Sequence, residues 1–231
     1  MNMASIDWQA AGPALDEQGW AVLPGLLDSD ACGETARLWE AEERFRSRVV
    51  MARHGFGRGE YRYFDHDLPE PVARLREALY PPLAEVANRW QAALGRPERF
   101  PDTHPAYLDR CRAAGQERPT PLLLRYGPGD YNCLHQDLYG AEAFPLQVAI
   151  LLSRPAEDFT GGEFLLSEQR PRRQSRATVV PLEQGDAVAF AVSERPVQGS
   201  RGPYRTRMKH GVSTIRSGER FTLGLIFHDS A

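Results

Sequence analysis

The chain has only three cysteines, Cys32, Cys111 and Cys133, far apart and with no Cys-x-x-Cys pair among them. That argues against a disulfide framework and against a zinc ribbon, and it suits a reducing cytoplasm. No stretch approaches the roughly 18 consecutive apolar residues of a membrane span. The opening residues MNMASIDWQA lack a basic segment followed by an apolar one, so neither an anchor nor an export signal is expected. A strong excess of one charge is also missing. The 28 basic and 31 acidic residues leave a net charge of -3, so a nucleic-acid partner would have to be met by a local basic patch. The three glycines between Met51 and Tyr63 are not followed by a strand-to-helix phosphate pattern, which argues against a nucleotide loop. There is no internal repeat.

What is present is a sizeable core: 42% of the 231 residues are hydrophobic, enough for one domain spanning 1–231. Residues 1–120 read as a mostly helical scaffold. A short helix precedes a strand at Trp20–Leu23, and a second helix is capped near Asp28 or Ser29, with Ala36, Leu38, Trp39 and Phe45 available for burial. Met51–Tyr63 has a loop composition. Val72, Leu75, Leu79, Leu83, Val86, Trp90 and Leu94 recur at spacings of three and four, the mark of an amphipathic helical pair broken or restarted at Pro81-Pro82. Arg96–Thr120 is polar, and its His104 is read as structural or surface. From Pro121 the period becomes strand-like: Leu122–Tyr126, Asn132–Gln136, Leu146–Ser153, Glu163–Ser167, Thr178–Pro181, Ala187–Val192, His210–Ile215 and Phe221–His228. About eight short strands without intervening helices predict a jelly roll, giving an α+β, mainly β class.

Within this core His135 and Asp137 lie two residues apart after a Gly127–Asp130 turn, on one face of a strand. An imidazole and a carboxylate so placed are two of the three ligands of a 2-His-1-carboxylate triad, which leaves positions on Fe(II) open. His210, on a late strand that a jelly roll can bring beside the early one, is the candidate third ligand. Arg220 opens the next strand, and its guanidinium fork suits the far carboxylate of a dicarboxylic 2-oxo acid, with the Tyr126 phenol as a second donor. Read singly, Arg220 is equally a surface arginine and Tyr126 a core aromatic.

Together, Tyr126-Gly127, His135-x-Asp137, Gly161-Gly162-Glu163, Pro181-x-x-x-Gly185-Asp186, Phe190, His210-Gly211 and Gly218-x-Arg220 resemble the Fe(II)- and 2-oxoglutarate-dependent oxygenases. The resemblance covers 121–231 and implies a double-stranded β-helix (jelly roll, cupin-like) catalytic core with the N-terminal helices packed on it. It implies Fe(II) on His135, Asp137 and His210, 2-oxoglutarate on Arg220 and Tyr126, and O₂ consumed with succinate as product. The upstream segment from Gly59 to Trp90, with Gly19-Trp20 to Leu26, resembles a bacterial subfamily described as acting on damaged, alkylated DNA. The implied reaction is hydroxylation of a C–H bond, and on an N-methyl group this yields formaldehyde and the repaired base.

An anionic substrate would be served by two arginine-rich stretches. One holds Arg170, Arg172, Arg173 and Arg176; the other holds Arg195, Arg201, Arg205, Arg207 and Lys209 and runs up to His210. Arg172, Arg173, Arg205 and Arg207 are the substrate candidates, although such runs are commonly solvated loops. The AlkB-type demethylases differ at two positions, where this chain has Ile226 and Leu124 in place of an arginine and an asparagine. A hydroxylase of a protein side chain or small metabolite, with a prolyl-hydroxylase-like core, is the alternative enzyme. A non-catalytic jelly-roll binding module is the alternative outside enzymes. Oligomeric state is left open.

Overall fold

The computed structural model describes residues 6–231. Two antiparallel sheets face each other. The larger runs β1 (Trp20–Leu23), β11 (Ala187–Ala191), β7 (Leu146–Leu151), β15 (Arg220–Leu225), β5 (Leu122–Tyr126), β4 (Glu60–Phe64), β2 (Phe45–Val50). The smaller runs β10 (Arg176–Val180), β9 (Phe164–Gln169), β13 (Gly202–Val212), β6 (Tyr131–His135), β3 (Gly57–Arg58), with β12 (Glu194–Gly199) paired to β13. A short β8 (Phe159–Gly161) and β14 (Ile215–Gly218) form a separate ribbon just ahead of β15. This is the double-stranded β-helix expected of residues 121–231.

Central strands of the larger sheet are buried on both faces, because one face lines the barrel and the other meets helices. Every residue of β7, LQVAIL, and of β11, AVAFA, is buried. Helix α1 (Trp8–Gln18), α2 (Ser29–Arg37), α3 (Glu70–Ala93) and α4 (His104–Ala113) supply the cover. Val72, Leu75, Leu79, Leu83, Val86 and Trp90 join one core with Ile150, Leu223 and Leu225. Each leaves water for a gain of about 1.5–3 kcal/mol.

Four expectations need correction. The scaffold of residues 1–120 carries the expected strand at Trp20–Leu23, β1, but also the unexpected β2, β3 and β4, all built into the two sheets. Met51–Tyr63 is a loop only in its first half; β4 pairs with β5, and its charged Arg62 is buried against Trp39, 4.2 Å over the ring, donating to the Trp39 carbonyl at 2.7 Å. The expected helical pair is a single 24-residue helix running through Pro81 and Pro82. Each proline costs about 3 kcal/mol in a helix interior, offset by the buried stripe on both sides of it. The second helix ends at Arg37, so Phe45 lies in β2 instead. Helix α4 was not anticipated, and its buried side is only His104, Tyr107 and Cys111.

Candidate metal centre and co-substrate pocket

Strands β6 and β13 carry the centre. His210 is the cross-strand partner of His135, and Val212 is that of Asn132, so β6 holds one more residue than β13 across this interval. Such a bulge reverses the alternation of side chains. Asn132 and His135, which strict alternation would put on opposite faces, both line the interior. Gly211 makes the bulge possible: a Cβ there would sit 2.7 Å from the Asn132 carbonyl oxygen.

Asp137 follows at the strand end. Its Oδ1 lies 3.5 Å from His135 Nε2 and its Oδ2 lies 3.4 Å from His210 Nε2. The three donor atoms lie within 4.8 Å of one another. His135 Nδ1 is 2.8 Å from the Cys133 carbonyl. A carbonyl only accepts, so Nδ1 carries the proton and the Nε2 lone pair faces the cluster. Tyr139 donates to Asp137 Oδ1 at 2.8 Å, and the Tyr63 hydroxyl lies 3.3 Å behind it.

Burial, then the neighbouring His210, lower the His135 pKa. Burial alone would raise the Asp137 carboxyl. The hydrogen bond and charge of His210, the charge of His135 and the Tyr139 hydroxyl outweigh it and hold the group well below the usual carboxylate range. The His135 lone pair, the His210 Nε2 and an ionised carboxylate therefore converge, a donor set suited to Fe(II) with open positions. The ring of Phe190 lies 4.7 Å and that of Phe164 6.2 Å from His210, walling the centre on its inner side.

A cavity of about 220 Å³ leads inward from these ligands between the sheets. Arg220 and Tyr126, register partners on β15 and β5, line it. Both are fully buried. The guanidinium donates to Thr222 Oγ1, its carbon lies 5.8 Å from the Tyr126 ring centre, and its Nε has no partner. None of the described carboxylates forms an ion pair with it. Burial pulls the Arg220 pKa down to about 10, Tyr126 and then Glu163 opposing it, and burial pushes the Tyr126 pKa up to about 12. A buried cation without a counter-ion is costly. An anion whose carboxylate reached this depth would relieve it. Both halves of the site thus fit the groups implied for them, Fe(II) and 2-oxoglutarate.

The substrate candidates lie elsewhere. Arg172 and Arg173 are exposed in the turn between β9 and β10, and Arg205 and Arg207 face outward on β13, so none of the four lines the cavity. Arg195, expected in the second basic stretch, is instead fully buried on β12 and paired with Glu168 at 2.6 Å; its role is structural. His104 and His228 are buried, with His104 Nε2 2.9 Å from the Phe227 carbonyl and His228 Nδ1 accepting from the Phe144 amide at 3.1 Å.

Sequence reasoning missed two groups. Tyr139 buttresses Asp137, and its position two residues after the ligand was the available signal. Gln147 is buried in the cavity wall with its Nε2 unpaired, next in register to Phe190; a lone amide inside the apolar run Leu146–Leu152 was the sign.

The fold is the one that the Fe(II)- and 2-oxoglutarate-dependent oxygenases share, and the converging donors suit the same metal. The chain is similar to a solved 2OG-Fe(II) oxygenase-family oxidoreductase from Burkholderia pseudomallei, at TM-score 0.55 and 17% identity over 97% of this chain and 93% of that one. It is similar likewise to a prolyl-4-hydroxylase from Pseudomonas putida, at TM-score 0.52 and 15% identity over 97% and 100%. At such identities the likeness is one of fold. The chain belongs to the Oxygenase-NA family, described as an oxygenase catalysing oxidative methylation of damaged DNA, whose model matches residues 59–230. An uncharacterized protein of Mycobacterium tuberculosis strain H37Rv is 54% identical over 168 residues, covering 73% of this chain and 72% of its own. Membership of an oxygenase family sets aside the non-catalytic module. Among the described residues no helix is long and apolar enough to cross a membrane.

Proposed function

We propose that this oxygenase hydroxylates the N-methyl group of an alkylated base in DNA, using Fe(II), 2-oxoglutarate and O₂. The observation that carries the co-substrate half is Arg220, a buried cation without an ion-pair partner, in the same cavity as the converging donors of His135, Asp137 and His210. The family description supports the DNA half. Three free cysteines suit a cytoplasmic protein.

When bound, Fe(II) with 2-oxoglutarate and O₂ supplies C–H oxidation, one oxygen atom going to the substrate and one to succinate as CO₂ leaves. The residues bind, orient and keep water out. His135, Asp137 and His210 would hold the metal through their converging donor atoms. Tyr139 keeps the carboxylate of Asp137 in place. Arg220 would take the far carboxylate of 2-oxoglutarate, and Tyr126 would donate its phenol to the same group. Phe164 and Phe190 screen the centre from water. The hydroxylated N-methyl carbon is a hemiaminal, which expels formaldehyde and leaves the unmodified base.

Succinate release from the Fe(II)-loaded protein is the test, with N-methylated single-stranded DNA, a proline-containing peptide and small metabolites offered in turn. Stimulation by the methylated strand alone is expected. Stimulation by the peptide or a metabolite instead overturns the DNA reading and favours a side-chain or metabolite hydroxylase.

A further inference from the structure

The outer face of the smaller sheet is in solvent and its side chains are ordered by chemistry. Along β13, Thr206, Met208 and His210 are buried while Arg205, Arg207 and Lys209 are exposed. Outward from Gly211, Leu165 is its partner on β9, and Val179 is the partner of Leu165 on β10. On the other side the bulge sets Cys133 and Leu134 beside Gly211, and the Cys133 amide donates to the Phe56 carbonyl at 2.9 Å. An apolar band thus crosses four strands and reaches Phe56 just ahead of β3, about 19 Å at the usual strand spacing.

The band is exposed where a folded chain ordinarily hides such groups: Val179 by 56%, Phe56 by 48% and Leu134 by 43%. Contiguous exposed apolar surface marks a binding site. Cations flank it, with Lys209, Arg207 and Arg205 along one side and Arg58, register partner of Tyr131, on the other. Glu194, the cross-strand partner of Arg207, is paired with Arg96 at 2.6 Å and with Arg205 at 3.4 Å. A surface of aromatic and aliphatic groups between rows of cations complements a polyanion that carries flat apolar faces, which is single-stranded nucleic acid. An acidic peptide satisfies the cations and leaves the band in water. Phe56 also lines the cavity, so the band ends at the site.

We propose that single-stranded nucleic acid lies on this face, bases against Val179, Leu134, Phe56 and Tyr131 and phosphates on Arg58, Arg207 and Lys209, while one base enters the cavity. The proposal rests on the nucleobase reading above and gives it a track.

Lys209 is the single lysine of the chain, so an amine-reactive ester reports on this face at one side chain, with the α-amino group as internal reference. In the Fe(II)-loaded protein, a saturating unmethylated 12-mer single strand is expected to slow Lys209 acylation at least fivefold relative to the reference, read by mass spectrometry. Log affinity should fall with log salt at a slope near -2, about 0.7 for each of three phosphate contacts. The Arg207→Glu/Val179→Glu double variant should lose at least tenfold in affinity for the strand. Protection by either the deoxy- or the ribo-oligonucleotide supports the proposal. Lys209 unprotected by any single strand, protection by duplex alone, equal protection by poly-glutamate, or undiminished affinity in the double variant overturns it. Wild-type turnover of a methylated nucleoside, which is too small to use the band, separates the two claims. Turnover without protection sinks the track and spares the base chemistry, and protection without turnover of any methylated base does the reverse.

Discussion

Replacing Arg220 by methionine separates folding from function in a way few substitutions do. Burial moves its pKa from 12.5 to about 10, which at 1.36 kcal/mol per unit is a penalty of about 3 kcal/mol on the charged form. Glu163 opposes the shift without pairing with the guanidinium, and methionine fills similar volume without a charge. Losing the contact to Thr222 returns about 1 kcal/mol. The ligand-free protein should therefore gain about 1–2 kcal/mol, a rise in Tm of roughly 2–8 °C for a chain of this size. Binding moves the other way. Truncating one partner of a buried charge pair costs about 2–5 kcal/mol, so 2-oxoglutarate affinity should drop by roughly 30-fold to several thousandfold. Thermal unfolding of wild type and variant, with Mn(II) in place of iron and with and without 2-oxoglutarate, reads both effects. Wild type should gain Tm with the co-substrate by mass action, and the variant should start higher and gain almost nothing. A variant that is less stable when ligand-free, or that keeps the full shift, would refute the assignment of Arg220.

His135→Ala and Asp137→Ala should abolish succinate formation and divalent-metal binding together, as measured by turnover and by metal titration. Tyr139→Phe removes the hydroxyl that holds Asp137 Oδ1 and should weaken Mn(II) affinity about 10- to 100-fold in calorimetry without shifting the unfolding midpoint of the metal-free protein. Burial, then the charge of Arg76, depress the pKa values of His104 to about 3 and His228 to about 4. The unfolded chain takes up these protons near 6.5, so stability is full above that pH. It falls toward pH 4 by about 1.4 kcal/mol per unit for each histidine, and His104→Phe should flatten the slope in urea titrations from pH 7 to 5. Gly211→Ala presses a methyl against the Asn132 carbonyl and should cost about 1–3 kcal/mol in denaturant unfolding.

The second half of the chain was readable because glycine turns cut it into strands whose apolar period is unambiguous. Leu122–Tyr126 falls where expected to the residue, and His135, Asp137 and His210 meet because antiparallel neighbours put their ends together. Several features hid behind charge. GEYRYF looks like a loop because Arg62 stands in it, yet that arginine is covered by Trp39 and Phe45. Gly202–Lys209 looks like a basic loop, yet it continues β13 and pairs with β12, whose Arg195 is neutralised inside by Glu168. Helix α4 buries too narrow a stripe to announce itself. A bulge is invisible to a period-two reading, so nothing in the sequence placed Asn132 and His135 on one side. Gln147 and Tyr139 act through single polar contacts, which leave no periodic trace.

The most direct measurement is formaldehyde and succinate counted together as the Fe(II)-loaded protein acts on an N-methylated single strand in 2-oxoglutarate and air. One formaldehyde per succinate, with both lost in His135→Ala, is the predicted result. Succinate without formaldehyde, or formaldehyde released independently of 2-oxoglutarate, would contradict the account.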